Sequence, residues 1–275
     1  MLNAHPVARW SYSWERSRVS RALGPVVLGV HDLSKNFGGI KALNGVSFDI
    51  RQGEVCGLIG PNGAGKTTLF DVVSGLQAPT TGSIEILGRN VTHQSPERRA
   101  RAGVRRTFQR PQLYGYSTVE DNVLCAMEWR GGGGGILADL VSMPSRRRRE
   151  RERREWVESI LESCGLIDLR FRLAGSLPIG QARLVELARA LADQCSLLLF
   201  DEPTSGLSRR ETECFAGHIG GLQEKNVTAV LVEHDMSFVM AHCDRIMVLN
   251  LGQVLADGSP DIVQSDQRVR EVYLG

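Results

Sequence analysis

The chain has 275 residues, of which 42% are hydrophobic and 23% charged, a composition that supports a full hydrophobic core and excludes a disordered protein. A net charge of +2 is too mild to indicate a nucleic-acid partner. The longest apolar stretches, such as residues 229–232, fall far short of the roughly 18 residues that span a bilayer, so we expect membrane association only through partners.

The first elements predicted along the chain are strands. Residues 1–25 contain tryptophans and arginines without a continuous apolar segment, which argues against a secretory signal and predicts a mobile extension. From residue 26 to residue 59, strand-like segments alternate with turn signals, and residues 83–87 add a further strand. This pattern predicts a small antiparallel sheet.

Residues 60–67 have the spacing of a phosphate-binding loop. They follow an apolar strand at 54–59 and precede a helix at 68–73, so the amide groups of the loop converge at a helix N-terminus. Lys66 is placed to reach the β and γ phosphates of a nucleoside triphosphate, and the hydroxyl of Thr67 to complete a Mg²⁺ shell. The predicted nucleotide contacts are Gly60, Pro61, Asn62, Gly63, Ala64, Gly65, Lys66, Thr67 and Thr68.

Between residues 111 and 175 the pattern becomes helical and irregular. The glycines at 131–135 predict a flexible connector. At residues 146–155, Glu150 lies four positions from both Arg146 and Arg154, and Glu152 lies four positions from Arg148. This segment is either a solvated helix face or a patch that meets anionic lipid headgroups or a permease loop.

A second nucleotide-related motif ends at residue 202. The apolar run at 197–200 leads into Asp201 and Glu202, which predicts a buried parallel strand that delivers two carboxylates to the sheet edge beside the phosphate loop. We expect Asp201 to hold Mg²⁺ through water. Glu202, one residue further, is placed to orient or deprotonate the attacking water.

A short segment between the phosphate loop and the acidic pair indicates a family. Its residues are, in order, Leu177, Pro178, Ile179, Gly180 and Gln181. This stretch precedes a helix with leucines on one face and resembles the signature of ABC-type ATPases. The resemblance extends, in the family's order, to Phe37, Gln109, residues 205–208 and His234.

The resemblance implies an α/β fold with a P-loop NTPase core and mostly parallel sheet, a small antiparallel β subdomain and a helical subdomain. It also implies ATP and Mg²⁺ as cofactors. Phe37 would stack on the adenine ring, Gln109 would contact Mg²⁺ and the attacking water, and His234 would contact the γ-phosphate. Taken singly, these three residues have ordinary alternatives: a core aromatic, a surface amide and a structural histidine.

The resemblance implies one ABC ATPase domain at 26–275. Its core with the β subdomain is expected at 26–108 and 181–257, its helical subdomain with the signature at 109–180, and a C-terminal tail at 258–275. In such ATPases the signature of one subunit closes over the nucleotide of another. A chain with one of each is therefore expected to work as a head-to-tail dimer.

Three residues depart from the family's pattern. Pro178 replaces a serine whose hydroxyl would touch the γ-phosphate, and Ile179 replaces a glycine. Ser208 stands where the loop after the acidic pair usually carries Asp or Asn. We expect weaker nucleotide closure at sites that this signature completes.

Most of the chain is similar to the ATP-binding subunits of bacterial branched-chain amino acid importers. The features that carry this likeness are residues 106–109, the atypical signature at 177–181, and the ending 272–275 after residues 233–236. The likeness implies a peripheral subunit on the cytoplasmic face of the inner membrane. Its implied partners are two transmembrane permease subunits, a sister ATPase in a hetero- or homodimer and, indirectly, a solute-binding protein outside.

Other functions remain open from the sequence. Close relatives serve urea or short amides, and the lipopolysaccharide-export ATPase shares parts of these motifs. A soluble ABC ATPase acting on ribosomes or DNA usually carries two ATPase domains or a long coiled coil, and neither is visible here. A nucleotide-binding regulator that barely hydrolyses gains some support from Pro178 and Ser208 but not from Lys66 and Glu202.

Overall fold

The structure, a computed structural model, describes residues 24–127, 143–222 and 227–274. Residues 1–23 of the predicted extension and the glycines at 131–135 lie outside these ranges. The last two residues of that extension belong to the fold. The main-chain oxygen of Pro25 accepts a hydrogen bond from the amide of Gln52 at 3.0 Å, and that of Gly24 accepts from Arg51 at 3.2 Å.

Strands and helices alternate along most of the described chain. The strands are β1 (Val26–Phe37), β2 (Ile40–Arg51), β3 (Val55–Ile59), β4 (Thr81–Ile86), β5 (Arg89–Asn90), β6 (Val104–Arg106), β7 (Leu197–Asp201), β8 (Thr228–Val232), β9 (Arg245–Asn250) and β10 (Gln253–Gly258). The helices are α1 (Lys66–Ser74), α2 (Pro96–Arg101), α3 (Val119–Met127), α4 (Met143–Ser163), α5 (Ile179–Ala192), α6 (Arg209–Leu222), α7 (Met236–His242), α8 (Pro260–Ser265) and α9 (Gln267–Leu274). Short 3₁₀ turns lie at Ile167–Leu169 and Ala174–Ser176.

The strands form two sheets. A four-stranded antiparallel sheet has the order β2-β1-β4-β5, as the alternating segments near the N-terminus predicted. A six-stranded sheet has the order β10-β9-β3-β8-β7-β6, in which every pairing is parallel except that of the edge strand β10. The predicted α/β class, with a mostly parallel core sheet beside a small antiparallel one, is confirmed.

The central sheet separates two apolar cores. Along β7, Leu198 and Phe200 face a core shared with the helices α3, α4 and α5, whereas Leu197 and Leu199 face a core shared with α1 and the antiparallel sheet. Every residue of β3, β7 and β8 is buried, because helices or strands cover both faces of these strands. The carboxyl ends of the parallel strands, where polar residues begin, therefore lie together at one edge of the sheet.

The basic segment on α4 is an ion-paired helix face. Arg148 bonds Glu152 at 2.9 Å, and Arg154 bonds Glu150 at 3.0 Å, as the spacing predicted. Arg151 and Glu155 form a further pair at 3.0 Å. All these side chains are exposed, which favours the interpretation as a solvated helix face. None of the helices in the described ranges is long and apolar enough to cross a bilayer.

Candidate nucleotide-binding and hydrolysis site

Glycines shape the loop between β3 and α1. Gly63 has φ 79 and Gly65 has φ 105, both in the left-handed region. A Cβ atom at Gly65 would lie 2.5 Å from a main-chain oxygen of β2, so only glycine fits there. No side chain caps the helix that follows. The amides of its first turn, which includes Thr67 and Thr68, therefore remain available to an anion.

The loop wraps around the ammonium group of Lys66. Nζ of Lys66 donates hydrogen bonds to the main-chain oxygens of Gly60 at 2.6 Å and Pro61 at 3.0 Å. Burial lowers the pKa of Lys66, while the charges of Glu202 and Asp201 act in the opposite direction. A buried cation at a helix N-terminus, within electrostatic range of two carboxylates, suits the phosphates of a nucleotide and an accompanying cation.

Asp201, at the end of β7, has one paired and one unpaired carboxylate oxygen. Its Oδ2 accepts a hydrogen bond from Nη2 of Arg106 at 3.0 Å, and the same guanidinium bonds Asp71 at 2.6 Å. Oδ1 of Asp201 is buried, and no described residue donates a hydrogen bond to it. A buried carboxylate oxygen that lacks a donor fits a water molecule in a Mg²⁺ shell.

The protein side chains near the loop do not form a complete metal cage. The described residues contain no group of 3 or more His, Cys, Asp or Glu side chains arranged for a metal ion. Nucleotide-bound Mg²⁺ needs no such cage, because phosphate oxygens and waters supply most of its ligands. Asp201 and the exposed hydroxyl of Thr67 are a donor set of that kind.

Three predicted catalytic residues meet at one oxygen atom. Oε1 of Glu202 lies 3.0 Å from Nε2 of His234 and accepts a hydrogen bond from Nε2 of Gln109 at 3.2 Å. Glu202 adopts φ 49, and its amide donates to the main-chain oxygen of Val232 at 2.9 Å. With Glu202 ionised, a hydrogen bond from His234 requires the proton on Nε2. The carboxylate is thus oriented by two donors from separate loops.

The ordinary alternative for Phe37 does not hold. Phe37 is no core aromatic, because 46% of it is exposed at the end of β1. Nζ of Lys35 lies 4.9 Å from the centre of its ring. Gln109 is exposed, as a surface amide would be, and its side-chain amide also donates to Glu202.

The signature lies at the start of α5. Pro178 occupies the N-cap position and provides no capping hydrogen bond. Ile179 is 41% exposed, and a Cβ atom on Gly180 would overlap the carboxylate of Glu211. Leu177 packs against the helical core. The first amides of α5 therefore lack a side-chain partner, and they remain open to an anion from outside.

Glu211 links the signature to the loop after the acidic pair. Its Oε2 accepts hydrogen bonds from the amide of Ser208 at 2.8 Å and from the Ser208 hydroxyl at 2.7 Å. These bonds lower the pKa of Glu211. The amide of Glu211 in turn lies 3.4 Å from Oγ of Ser208, which completes a capping box at the start of α6. Ser208 thus has a structural role where the family usually carries Asp or Asn.

These motifs match a known family. The family profile described as ABC transporter matches residues 43–205, which contain the phosphate loop, Gln109, the signature and the acidic pair. The chain belongs to the ABC transporter family. It is an ABC ATPase cassette that binds nucleotide and works with membrane permease components. A second profile, described as branched-chain amino acid ATP-binding cassette transporter, matches residues 253–275.

Relatives of this ABC cassette resemble it over most of their length. It is 40% identical to the high-affinity branched-chain amino acid transport ATP-binding protein BraF of Pseudomonas aeruginosa, across 90% of this chain and 98% of BraF. It is 38% identical to LivG of Salmonella typhimurium, which has the same description, with the same shares covered. The crystal structure of the ADP conformation of MJ1267, an ATP-binding cassette of an ABC transporter, superposes with a TM-score of 0.78 and 32% identity, covering 91% of this chain and 99% of that one.

Sequence reasoning missed several side chains around this site of the ABC cassette. Arg106, which lies in a motif that carries the family likeness, joins Asp201 to α1. Buried Glu233 accepts hydrogen bonds from the amide and hydroxyl of Thr204 at 2.7 and 2.8 Å, and burial raises its pKa. Burial raises the pKa of Tyr273, on the C-terminal helix, to about 12, and the main chain of Gly60 beside its hydroxyl opposes that rise. All three residues lie in segments that carry the family likeness, but no local pattern indicated these contacts.

Proposed function

We propose that this ABC cassette is the ATP-hydrolysing subunit of an importer that takes up branched-chain or related amino acids. The names of BraF and LivG support this assignment, because both proteins resemble the chain over nearly their whole length. The match of the tail to the branched-chain profile supports it independently of the nucleotide motifs. The observation that carries the hydrolytic part is the meeting of Gln109 and His234 at Oε1 of Glu202.

The phosphate loop holds ATP in this proposal. Residues 60–68 surround the phosphates with main-chain amides and the Lys66 ammonium, while the exposed ring of Phe37 stacks on the adenine. Thr67, Asp201 through its unpaired oxygen, and Gln109 would hold Mg²⁺. When bound, Mg²⁺ neutralises phosphate charge that develops as the terminal bond breaks.

Hydrolysis proceeds by attack of water on the γ-phosphate. Glu202 takes the proton from that water as general base, and Gln109 orients the water through its side-chain amide. His234 fixes the Glu202 carboxylate and contacts the γ-phosphate. Asp201 is the last residue of β7, and its carboxylate is bonded to Arg106. Glu202 follows it with a left-handed backbone, which places its carboxylate beyond the end of the strand. The two acids therefore have separate roles.

The cassette functions as a dimer with its own kind or a sister ATPase. The uncapped start of α5, from Leu177 to Gln181, completes the nucleotide site of the opposite subunit. Two permease subunits anchor this dimer to the cytoplasmic face of the inner membrane, where the cassette is peripheral, and a solute-binding protein outside delivers the amino acid. No nucleic acid takes part.

The permease contact lies in a groove between the core and the helical subdomain. Its volume is about 260 Å³, and it is lined by residues that include Phe108, Gln112, Tyr114, Cys125, Glu186 and Arg189. Phe108 and Tyr114 are 40% and 56% exposed, and their ring centres each lie 5.3 Å from a guanidinium carbon, that of Arg106 and that of Arg189 respectively. Phe108 and Gln112, which line the groove, lie in the same loop as Gln109. A partner bound in the groove would therefore contact the loop that carries Gln109 to the hydrolysis site.

Co-purification from native membranes tests the proposed function. The tagged protein is extracted in mild detergent, and the proteins bound to it are identified by mass spectrometry. The proposal expects two polytopic permeases, a solute-binding protein and one further ATPase or a second copy. Ribosomal or DNA-repair partners, or no membrane protein, would overturn the transport assignment.

A further inference from the structure

Side chains of α5 hold the loop that follows Gln109. Nη2 of Arg183 donates to the main-chain oxygen of Gln109 at 2.9 Å. Oε1 of Glu186 accepts from the amide of Gln112 at 2.8 Å, and Nη1 of Arg189 donates to the main-chain oxygen of the same residue at 2.5 Å. These three side chains, one every third residue, are called the clamp below.

The loop has few other anchors. Among the described residues, no hydrogen bond between two main-chain groups involves residues 108–113. Thr107 is still tied to β7 through the main-chain oxygen of Leu199 at 2.9 Å, and such bonds resume at Tyr114. The position of the intervening loop is therefore set largely by side chains, and the clamp supplies three of these contacts.

Two of the three clamp side chains are buried, which makes their geometry costly to change. Arg183 and Glu186 are 3% and 8% exposed. Arg183 also donates to the main-chain oxygen of Ser205 at 3.1 Å, in the loop that follows Glu202. Buried polar groups that lose their partners are strongly destabilising, so the loop and α5 move together more easily than apart.

The clamp connects the signature with the loop that carries Gln109. The start of α5 carries the signature, and the loop held by the clamp carries Gln109, whose amide lies 3.2 Å from Glu202. We propose that Arg183, Glu186 and Arg189 are positioning residues, which make Gln109 move with the signature helix. Movement of the signature toward a nucleotide on the opposite subunit then changes the contact between Gln109 and Glu202 in the same step. This inference rests on the proposed role of Gln109 in hydrolysis.

The burial of Glu186 and the charges around it support its role in positioning the loop. Burial raises the pKa of Glu186 to about 7, while its bond from Gln112 and the charges of Arg183 and Arg189 oppose that rise. The same groove presents Arg105 and Arg106 from β6, Tyr114 and, from α3, Cys125. Burying a carboxylate in this groove costs desolvation free energy, which is consistent with a positioning role for Glu186.

A double-mutant cycle on the full-length protein tests the clamp. Glu186→Ala removes the acceptor, and we expect it to lower kcat for ATP hydrolysis about tenfold with KM changed less than about twofold. Glu186→Gln keeps a carbonyl acceptor and should retain kcat within about twofold of the wild type. In a Gln109→Ala background, Glu186→Ala should lower kcat by less than about twofold, because its effect passes through Gln109. Glu213→Ala, an exposed position on α6, serves as the control.

The outcomes separate this inference from the proposed function. If Gln109→Ala itself leaves kcat unchanged, the proposed role of Gln109 in hydrolysis is wrong, and the clamp then has no catalytic residue to position. If Gln109→Ala lowers kcat but Glu186→Ala lowers it equally in both backgrounds, only the clamp is overturned. Equal loss in Glu186→Gln and Glu186→Ala would also contradict it. Should Glu186→Ala not fold, the cycle is run with Arg189→Ala, whose side chain is only partly buried, and the same results decide.

Discussion

Nε2 of His234 lies 3.0 Å from Oε1 of Glu202, although the two residues are 32 positions apart in the sequence. Each lies in a loop at the carboxyl end of a parallel strand, and the two strands, β7 and β8, are neighbours in the sheet. The sheet topology therefore brings together an acceptor and a donor that neither loop could orient alone. The predictions below depend on this edge of the sheet and on the helices that surround it.

Glu202→Gln should bind ATP but hydrolyse it about a thousandfold more slowly, because the amide keeps the shape of the side chain and cannot take a proton from water. Radiolabelled ATP binding and phosphate release measure the two steps. Glu213→Gln, on the exposed face of α6 and paired with Arg209, is the matched control. Phosphate release at the wild-type rate by Glu202→Gln would exclude Glu202 as the base.

Pro178→Ser should lower KM for ATP or raise kcat by about twofold or more, because it adds, at the start of the signature, a hydroxyl that can donate a hydrogen bond to the γ-phosphate held by the opposite subunit. The assay uses the full-length protein at concentrations that allow dimers. Pro96→Ser, at the start of α2 where Ser95 is already the N-cap, controls for loss of a proline. Kinetics that match the wild type would show that Pro178 does not limit nucleotide closure.

Glu186 should make stability depend on pH. Burial raises its pKa from 4.5 to about 7, so the folded state holds a proton that the unfolded state has released between these values. This contribution to stability is present below the unfolded pKa and is lost as the pH rises through the folded one. The free energy of unfolding of the wild type should therefore fall relative to that of Glu186→Gln between about pH 5 and about pH 8, by on the order of 1–3 kcal/mol.

Urea denaturation across this pH range measures the effect, with Glu213→Gln as the exposed control. Glu233 is also buried and has a raised pKa, but it is present in all three proteins and its contribution cancels. Curves for the wild type and Glu186→Gln that stay parallel over the whole range would refute the assignment.

Tyr273→Phe should destabilise the protein by up to about 1 kcal/mol, because it removes a hydroxyl that lies beside the main chain of Gly60 in the phosphate loop. Tyr116→Phe removes a hydroxyl from a fully exposed side chain and should have no effect. Thermal or urea unfolding compares the two variants. Equal stability of both would mean that this hydroxyl does not help to anchor the tail.

Local motifs made much of this site predictable from the sequence. The phosphate loop, the strand ending in Asp201 and the signature are each continuous segments whose spacing reflects one element and its end. The fold class was implied by the family resemblance that these motifs carry. The capping box at Ser208 also has a local signature in the sequence, because Glu211 follows three residues later.

Contacts between distant segments could not be predicted in the same way. Arg106 reaches Asp201 across 95 residues, and Glu186 reaches the amide of Gln112 across 74. Neither pair shares a periodic pattern, since the contacts depend on which strands are neighbours and on how α5 packs against the core. Sequence patterns identify the elements, whereas packing decides which polar groups meet.

Amino acid uptake tests the central claim most directly. In native cells that lack this gene, uptake of radiolabelled leucine, isoleucine and valine is compared after complementation with the wild type, Glu202→Gln or the control Glu213→Gln. The account predicts that the wild type and Glu213→Gln restore uptake and that Glu202→Gln does not. Uptake that is unaffected by loss of the gene, or restored equally by Glu202→Gln, would contradict an importer driven by hydrolysis at this site.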